Sequence, residues 1–222
     1  EKEGNEMKLF QGIIIILHLG LILLSAQSDE SISFRYGFIA QGETIGDTLL
    51  TLDDRAELSA GDEVKLNIGF EKGTTCYIIL LSSQNVYSLF YTSASHDFSE
   101  SEDNIFTTLP WFRLDKSAGE ETFYLISSRT PITEMEDLLD KYIKAKKQSR
   151  KRFHKRIEYV LKDLMPKEDS SNGVGLVTRL DEPIIGGVTF RGKPDLIMLE
   201  QALTHQCEGD NIAAATFRIV HK

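Results

Sequence analysis

The chain has 222 residues, of which 41% are hydrophobic and 27% charged. That balance is ordinary for a globular protein and excludes wholesale disorder. Two cysteines are too few for a disulfide-dense mini-protein or an all-cysteine zinc site. A net charge of −9 and a pI near 5.1 argue against a nucleic-acid coat protein.

The first predicted element is a targeting segment. Met7-Lys8 precedes the apolar run Ile13–Leu24, which is followed by Ser25-Ala26-Gln27. A basic start, a short apolar stretch and a small residue describe a secretory signal peptide over 1–26, cleaved after Ala26. A permanent anchor needs about 20 apolar residues, so an uncleaved membrane anchor is the second reading. The acidic residues ahead of Met7 suit a signal peptide badly and put the expected start at Met7. The rest of the chain is then expected to be exported, to a periplasmic or secreted location. In an oxidising compartment Cys76 and Cys207 can pair. The alternative is that Cys76 is simply a small buried hydrophobe.

Residues 27–131 read as β structure. Ile32, Phe34, Tyr36 and Phe38 alternate with Ser33, Arg35 and Gly37, as do Val64, Leu66, Ile68 and Phe70 with Lys65 and Asn67. Gly61-Asp62 and Lys72-Gly73 mark turns on either side of the second run. Cys76–Leu81 is apolar at every position, which predicts a central strand covered on both faces. It forms a predicted hairpin with Val86–Tyr91. Further strands are expected in Ile105–Leu114 and Glu121–Ser127, so the fold class is an antiparallel β-sandwich or a partly open barrel.

Thr133-x-x-Glu136 has capping-box spacing, and no Gly or Pro follows before Pro166. The segment 132–166 is therefore predicted to be a basic amphipathic helix. It is either one helix or two with a break near Gln148-Ser149. Met135, Leu138, Leu139, Tyr142 and Ile143 form one apolar stripe, and Phe153, Ile157, Val160, Leu161 and Leu164 a second. Residues 167–222 are expected to be a C-terminal β extension packing on the same domain. Strands are predicted at Val174–Leu180, Ile184–Phe190 and Ala213–Val220, with a short helix over Pro194–Leu203.

Leu58-Ser59-Ala60-Gly61-Asp62-Glu63-Val64-Lys65-Leu66-Asn67-Ile68, Cys76-Tyr77-Ile78-Ile79-Leu80 and Leu89-Phe90 occur in that order. Asp103-Asn104, Leu109-Pro110, Phe112-Arg113-Leu114 and Gly119-Glu120-Glu121 follow them. The set resembles the bacterial domain-of-unknown-function family numbered 4384, over residues 58–131. Tyr91 stands where that family usually has proline. The resemblance implies a small β-rich accessory domain, often joined to caspase-like peptidase or protein-kinase modules or found in envelope proteins. It implies no catalytic residue, and this chain has no room for either enzyme module.

Candidate sites are few. Ser95-His96-Asp97 cannot place nucleophile, base and orienter in line from consecutive positions. The acidic stretch from Asp97 to Asn104 lacks the ligand order and the glycine of a calcium loop. His205, Cys207, Glu208, Asp210 and His221 offer zinc or copper ligands but contain no second tight pair. That region carries the alternative function, an envelope metal-binding protein or enzyme.

The strongest anomaly is basic. Lys141, Lys144, Lys146, Lys147, Arg150, Lys151, Arg152, Lys155 and Arg156 place nine cations in 16 residues with no acid between them. Such segregation makes a local positive field on an acidic protein. Lys144, Lys147, Arg150, Lys151, Arg152, Lys155 and Arg156 are the candidate binding surface. In an exported protein the available anions are an envelope protein or an anionic lipid or polysaccharide surface, not nucleic acid. The competing expectation is a solvated helix face balanced by the protein's own acids, such as those of 97–103. The chain is thus expected to be a non-enzymatic envelope interaction module with no cofactor.

Overall fold

A computed structural model describes residues 31–42, 46–95, 104–166, 178–179 and 203–222. In chain order these form β1 (Ile32–Gly42), β2 (Gly46–Leu52), β3 (Ala56–Leu58), β4 (Glu63–Glu71), β5 (Thr75–Leu81) and β6 (Tyr87–Thr92). Next come β7 (Asn104–Thr108), β8 (Phe112–Arg113) and β9 (Gly119–Ser128). Helices α1 (Thr133–Lys144) and α2 (Lys147–Leu164) follow, then β10 (Thr178–Arg179), β11 (His205–Gly209) and β12 (Ile212–His221).

The strands make two sheets. The first has the order β10-β11-β1-β4-β7, with β2 also paired to β1 and β8 to β4. The second has the order β3-β12-β9-β5-β6. Every pairing is antiparallel except β3 with β12. The alternation in β1 and β4 dictates the layering. Phe34, Tyr36, Phe38, Val64, Leu66, Ile68 and Phe70 all enter the core between the sheets. From the second sheet they meet Cys76, Ile78, Phe123, Leu125, Phe217 and Ile219. The Phe38 and Phe217 rings stack at 4.1 Å, which joins the two sheets at their centre.

A third layer explains the uninterrupted apolar text of β5. Cys76 and Ile78 face the other sheet, whereas Tyr77 and Ile79 face the helices. Met135, Leu138, Leu139 and Tyr142 of α1 and Ile157 and Leu161 of α2 close that second core. The second sheet is thus covered on both faces, as the sequence predicts for β5.

Several expectations are corrected. The helix breaks at Ala145-Lys146 rather than at Gln148-Ser149, because Ala145 turns to extended backbone at ψ 141°. Ile143 leaves the apolar stripe and is 59% exposed. At 100° per residue it lies past the edge of the arc that Met135, Leu138, Leu139 and Tyr142 define. Ile105–Leu114 divides into β7 and β8, which pair with opposite ends of β4.

The C-terminal residues are not an extension appended to a finished sandwich. β12 lies between β3 and β9 in the second sheet, and β11 pairs with β1 in the first. Ala213, Ala215, Phe217 and Ile219 enter the core between the sheets while Ala214 faces the helices. The sandwich therefore needs both ends of the described chain. Of the predicted 174–203 elements, Thr178–Arg179 forms β10 and the others lie outside the described residues, as does the 1–26 segment.

Candidate interaction surface

Helix α1 is placed by a tyrosine from the sheet beneath it. The Tyr77 hydroxyl accepts a hydrogen bond from the Ile132 backbone N–H at 3.1 Å and donates to Glu136 at 2.8 Å. This replaces the expected capping box. Thr133 is the first helical residue, Ile132 is the N-cap, and no side chain caps the end. Burial first, and the bond to Glu136 second, push the Tyr77 hydroxyl up to about 12.

Helix α2 rests on its second half, through Ile157 and Leu161, with Phe153, Val160 and Leu164 half-buried beside them. Its first half touches the protein through Arg150, Phe153 and His154, and the His154 ring lies 4.8 Å from that of Tyr87. The start of α2 breaks the usual rules for a helix terminus. Its N-cap is Lys146 with no side-chain cap, and its first turn holds no acid. Lys147 and Arg150 sit there instead, at the positive end of the helix dipole, where cations are unfavourable.

The candidate cations divide into two groups. Lys144 pairs with Asp140 at 2.7 Å, Lys141 with Asp137 at 3.5 Å, and Arg156 with Glu134 across the two helices at 3.5 Å. Arg150 lies over the Tyr142 ring at 5.7 Å and reaches the Ala145 carbonyl. Lys147, Lys151, Arg152 and Lys155 are exposed, as is Lys146, and no side-chain hydrogen bond or ion pair ties them to another described residue. Lys151, Arg152 and Lys155 lie on the helix face opposite Ile157 and Leu161.

Beside this row is a groove that sequence reading missed. Ile132, Val160 and Leu164 make its apolar part, Lys155, Arg156 and Tyr159 its basic and aromatic side, and Glu134 and Asp163 the rest. Its volume is about 510 Å³, within the range of small-ligand or side-chain pockets. Tyr159 is 75% exposed at its lip. The sequence signal was available, since Tyr159 is four residues beyond Lys155 and so continues the same helix row.

The other candidates do not assemble. His205 is buried and stacked on Tyr36, with ring centroids 5.0 Å apart, and its Nδ1 lies 2.8 Å from the Thr204 hydroxyl. The Cys207 thiol donates to the Ala214 carbonyl at 3.1 Å. His221 lies four residues along β12 from Phe217, whose ring is near His205. That spacing is roughly 13 Å of strand. Among the described residues no three His, Cys, Asp or Glu side chains are grouped to hold a metal ion. Cys76 and Cys207 are both buried free thiols, so the pairing read from the sequence is not formed. Residues 96–103 lie outside the described set, and with them His96-Asp97 and most of the acidic stretch.

The architecture defines a class, a β-sandwich with one sheet capped by a helical pair. Compared with the models of known protein families and with curated proteins, the chain gives no match.

Proposed function

We propose that the protein is an exported, non-enzymatic interaction module of the cell envelope that binds a protein or an anionic surface through helix α2. The observation that carries this reading is the row Lys147, Lys151, Arg152 and Lys155, exposed and without ion-pair partners among the described residues, on a helix whose first turn lacks a side-chain cap and an acid. Local rules broken without a compensating contact in the fold are the mark of a surface kept for something outside it. The alternative of self-balance applies to Lys141, Lys144 and Arg156, which have acids of their own. It leaves the rest of the row unneutralised among the described residues.

Export is supported by the Met7–Ala26 pattern, and the accessory-module reading by the ordered motifs of residues 58–131. The test is cross-linking followed by co-purification from the envelope. The wild type is compared with a variant in which Lys147, Arg150, Lys151 and Arg152 become Glu. A partner or lipid fraction captured only by the wild type supports the reading. Equal capture by both makes α2 a solvated strut and overturns it.

A further inference from the structure

We infer that the occupant of this surface is an acidic peptide segment of a partner protein carrying one apolar anchor residue. The anchor seats in the groove between the start of α1 and the second half of α2. This inference rests on the reading above and narrows it. Two features meet at Lys155. One is the row of cations unpaired among the described residues, which runs from there toward the start of α2. The other is the groove, which runs from Lys155 and Arg156 toward Leu164 over Ile132 and Val160.

An acidic segment answers the first feature. Its carboxylates neutralise Lys151, Arg152 and Lys155 without displacing any ion pair among the described residues. The second feature distinguishes a peptide from a lipid surface. A bilayer surface is flat on the scale of a helix, whereas an apolar side chain with its neighbouring peptide backbone can enter a concave site of about 510 Å³. Tyr159 at the lip adds a large, exposed aromatic contact of the kind that dominates protein interfaces. The position of Arg156 also fits. Arg156 lines the groove with Glu134, to which its bridge is a long 3.5 Å between two exposed side chains, so a carboxylate on the incoming segment competes for a cation that is only loosely held.

The test uses the full chain and labelled twelve-residue peptides read by fluorescence anisotropy. One probe alternates Asp and Glu with small polar residues around a central Phe. A second has Ser in place of Phe, and a third has Gln and Asn in place of the acids. Vesicles of phosphatidylglycerol form a fourth arm. The first probe is expected to bind and to weaken about tenfold with either peptide change. Lys151→Glu with Lys155→Glu should weaken it by about tenfold or more, and Tyr159→Ala by about fivefold. Lys72→Glu with Lys116→Glu, the same change in net charge elsewhere on the surface, should leave it unaltered. Circular dichroism melts of each variant separate lost binding from lost folding. Equal binding of the Phe and Ser peptides overturns the groove assignment. Vesicle binding that the Lys151/Lys155 variant loses, with no peptide binding, overturns the peptide inference while the basic-surface reading stands. If the variant changes nothing in any arm, both fall.

Discussion

Helix α1 opens with Glu134 and Glu136 and closes with Lys141 and Lys144, so its charges follow the helix dipole and pair along its own surface. Helix α2 opens with Lys147 and Arg150, has no acid before Glu158, and leaves most of its cations facing water. The apolar anchoring differs in the same sense. Four of the 12 residues of α1 are buried, against two of the 18 of α2. α1 satisfies the fold locally, whereas α2 is held by tertiary contacts at one end while its other end works against helix stability. Substitutions in α1 should therefore register as stability, and those at the start of α2 as binding.

The largest effect should come from removing the anchor of α1. Leu139 is buried against the second sheet, so Leu139→Ala removes its packing and leaves a cavity. It should cost about 2–5 kcal/mol in denaturant unfolding. A cost under about 1 kcal/mol would mean that the helical layer contributes little to the fold and that the contrast between its two members is superficial.

The bridge from Tyr77 comes next. Tyr77→Phe strips the Ile132 N–H and Glu136 of their partner, and it should destabilise by about 1–3 kcal/mol. The same hydroxyl gives a pH signature. Its ordinary value is 10.0 and burial first raises it to about 12; Cys76 and Cys207 rise from 9.0 to about 12 by burial. Tyr36, Tyr87 and Tyr91 are also raised by burial. In each case the folded state holds the proton more tightly than the unfolded chain does. Their contribution is fully present below about pH 9, and is lost as the pH rises from there through 12. Urea midpoints should therefore fall steadily above pH 9, less steeply in Tyr77→Phe. A midpoint flat to pH 11 would contradict the burial of these groups.

The β elements were legible because their alternation is strict and their turn residues are strong. Gly73, at φ +82°, makes the crossing from β4 to β5 that Lys72-Gly73 announced. The continuous apolar text of Cys76–Leu81 announced a doubly covered strand, although not what covered it. The place of β12 was hidden, since nothing local shows that Ala213–Val220 inserts between β3 and β9 rather than adding at an edge. Pairing between strands distant in sequence is decided by which faces remain uncovered, and that is a property of the whole core. Thr133-x-x-Glu136 misled for a similar reason. Glu136 found a partner in Tyr77, 59 residues away, and a local motif cannot register that competitor. The basic row was legible residue by residue. Its division into paired and unpaired cations needed the acids of α1 to be placed beside it, and the groove needed Ile132 to be brought against α2.

The smallest effect is the sharpest, because one substitution made three residues apart should change sign. Lys144→Glu breaks the 2.7 Å pair with Asp140 and puts an anion at the negative end of α1. It should destabilise by about 0.3–1 kcal/mol. Lys147→Glu breaks no pair and puts an anion at the positive end of α2, so it should stabilise by a similar amount, about 0.3–1 kcal/mol. Added salt should shrink both differences, since both side chains are exposed. Binding should respond differently from stability, with Lys147→Glu weakening capture of an acidic partner even as it raises the melting temperature. A structural role for Lys147 requires the two readouts to fall together. Opposite movement is the result that identifies the start of α2 as a surface held at a cost to the fold.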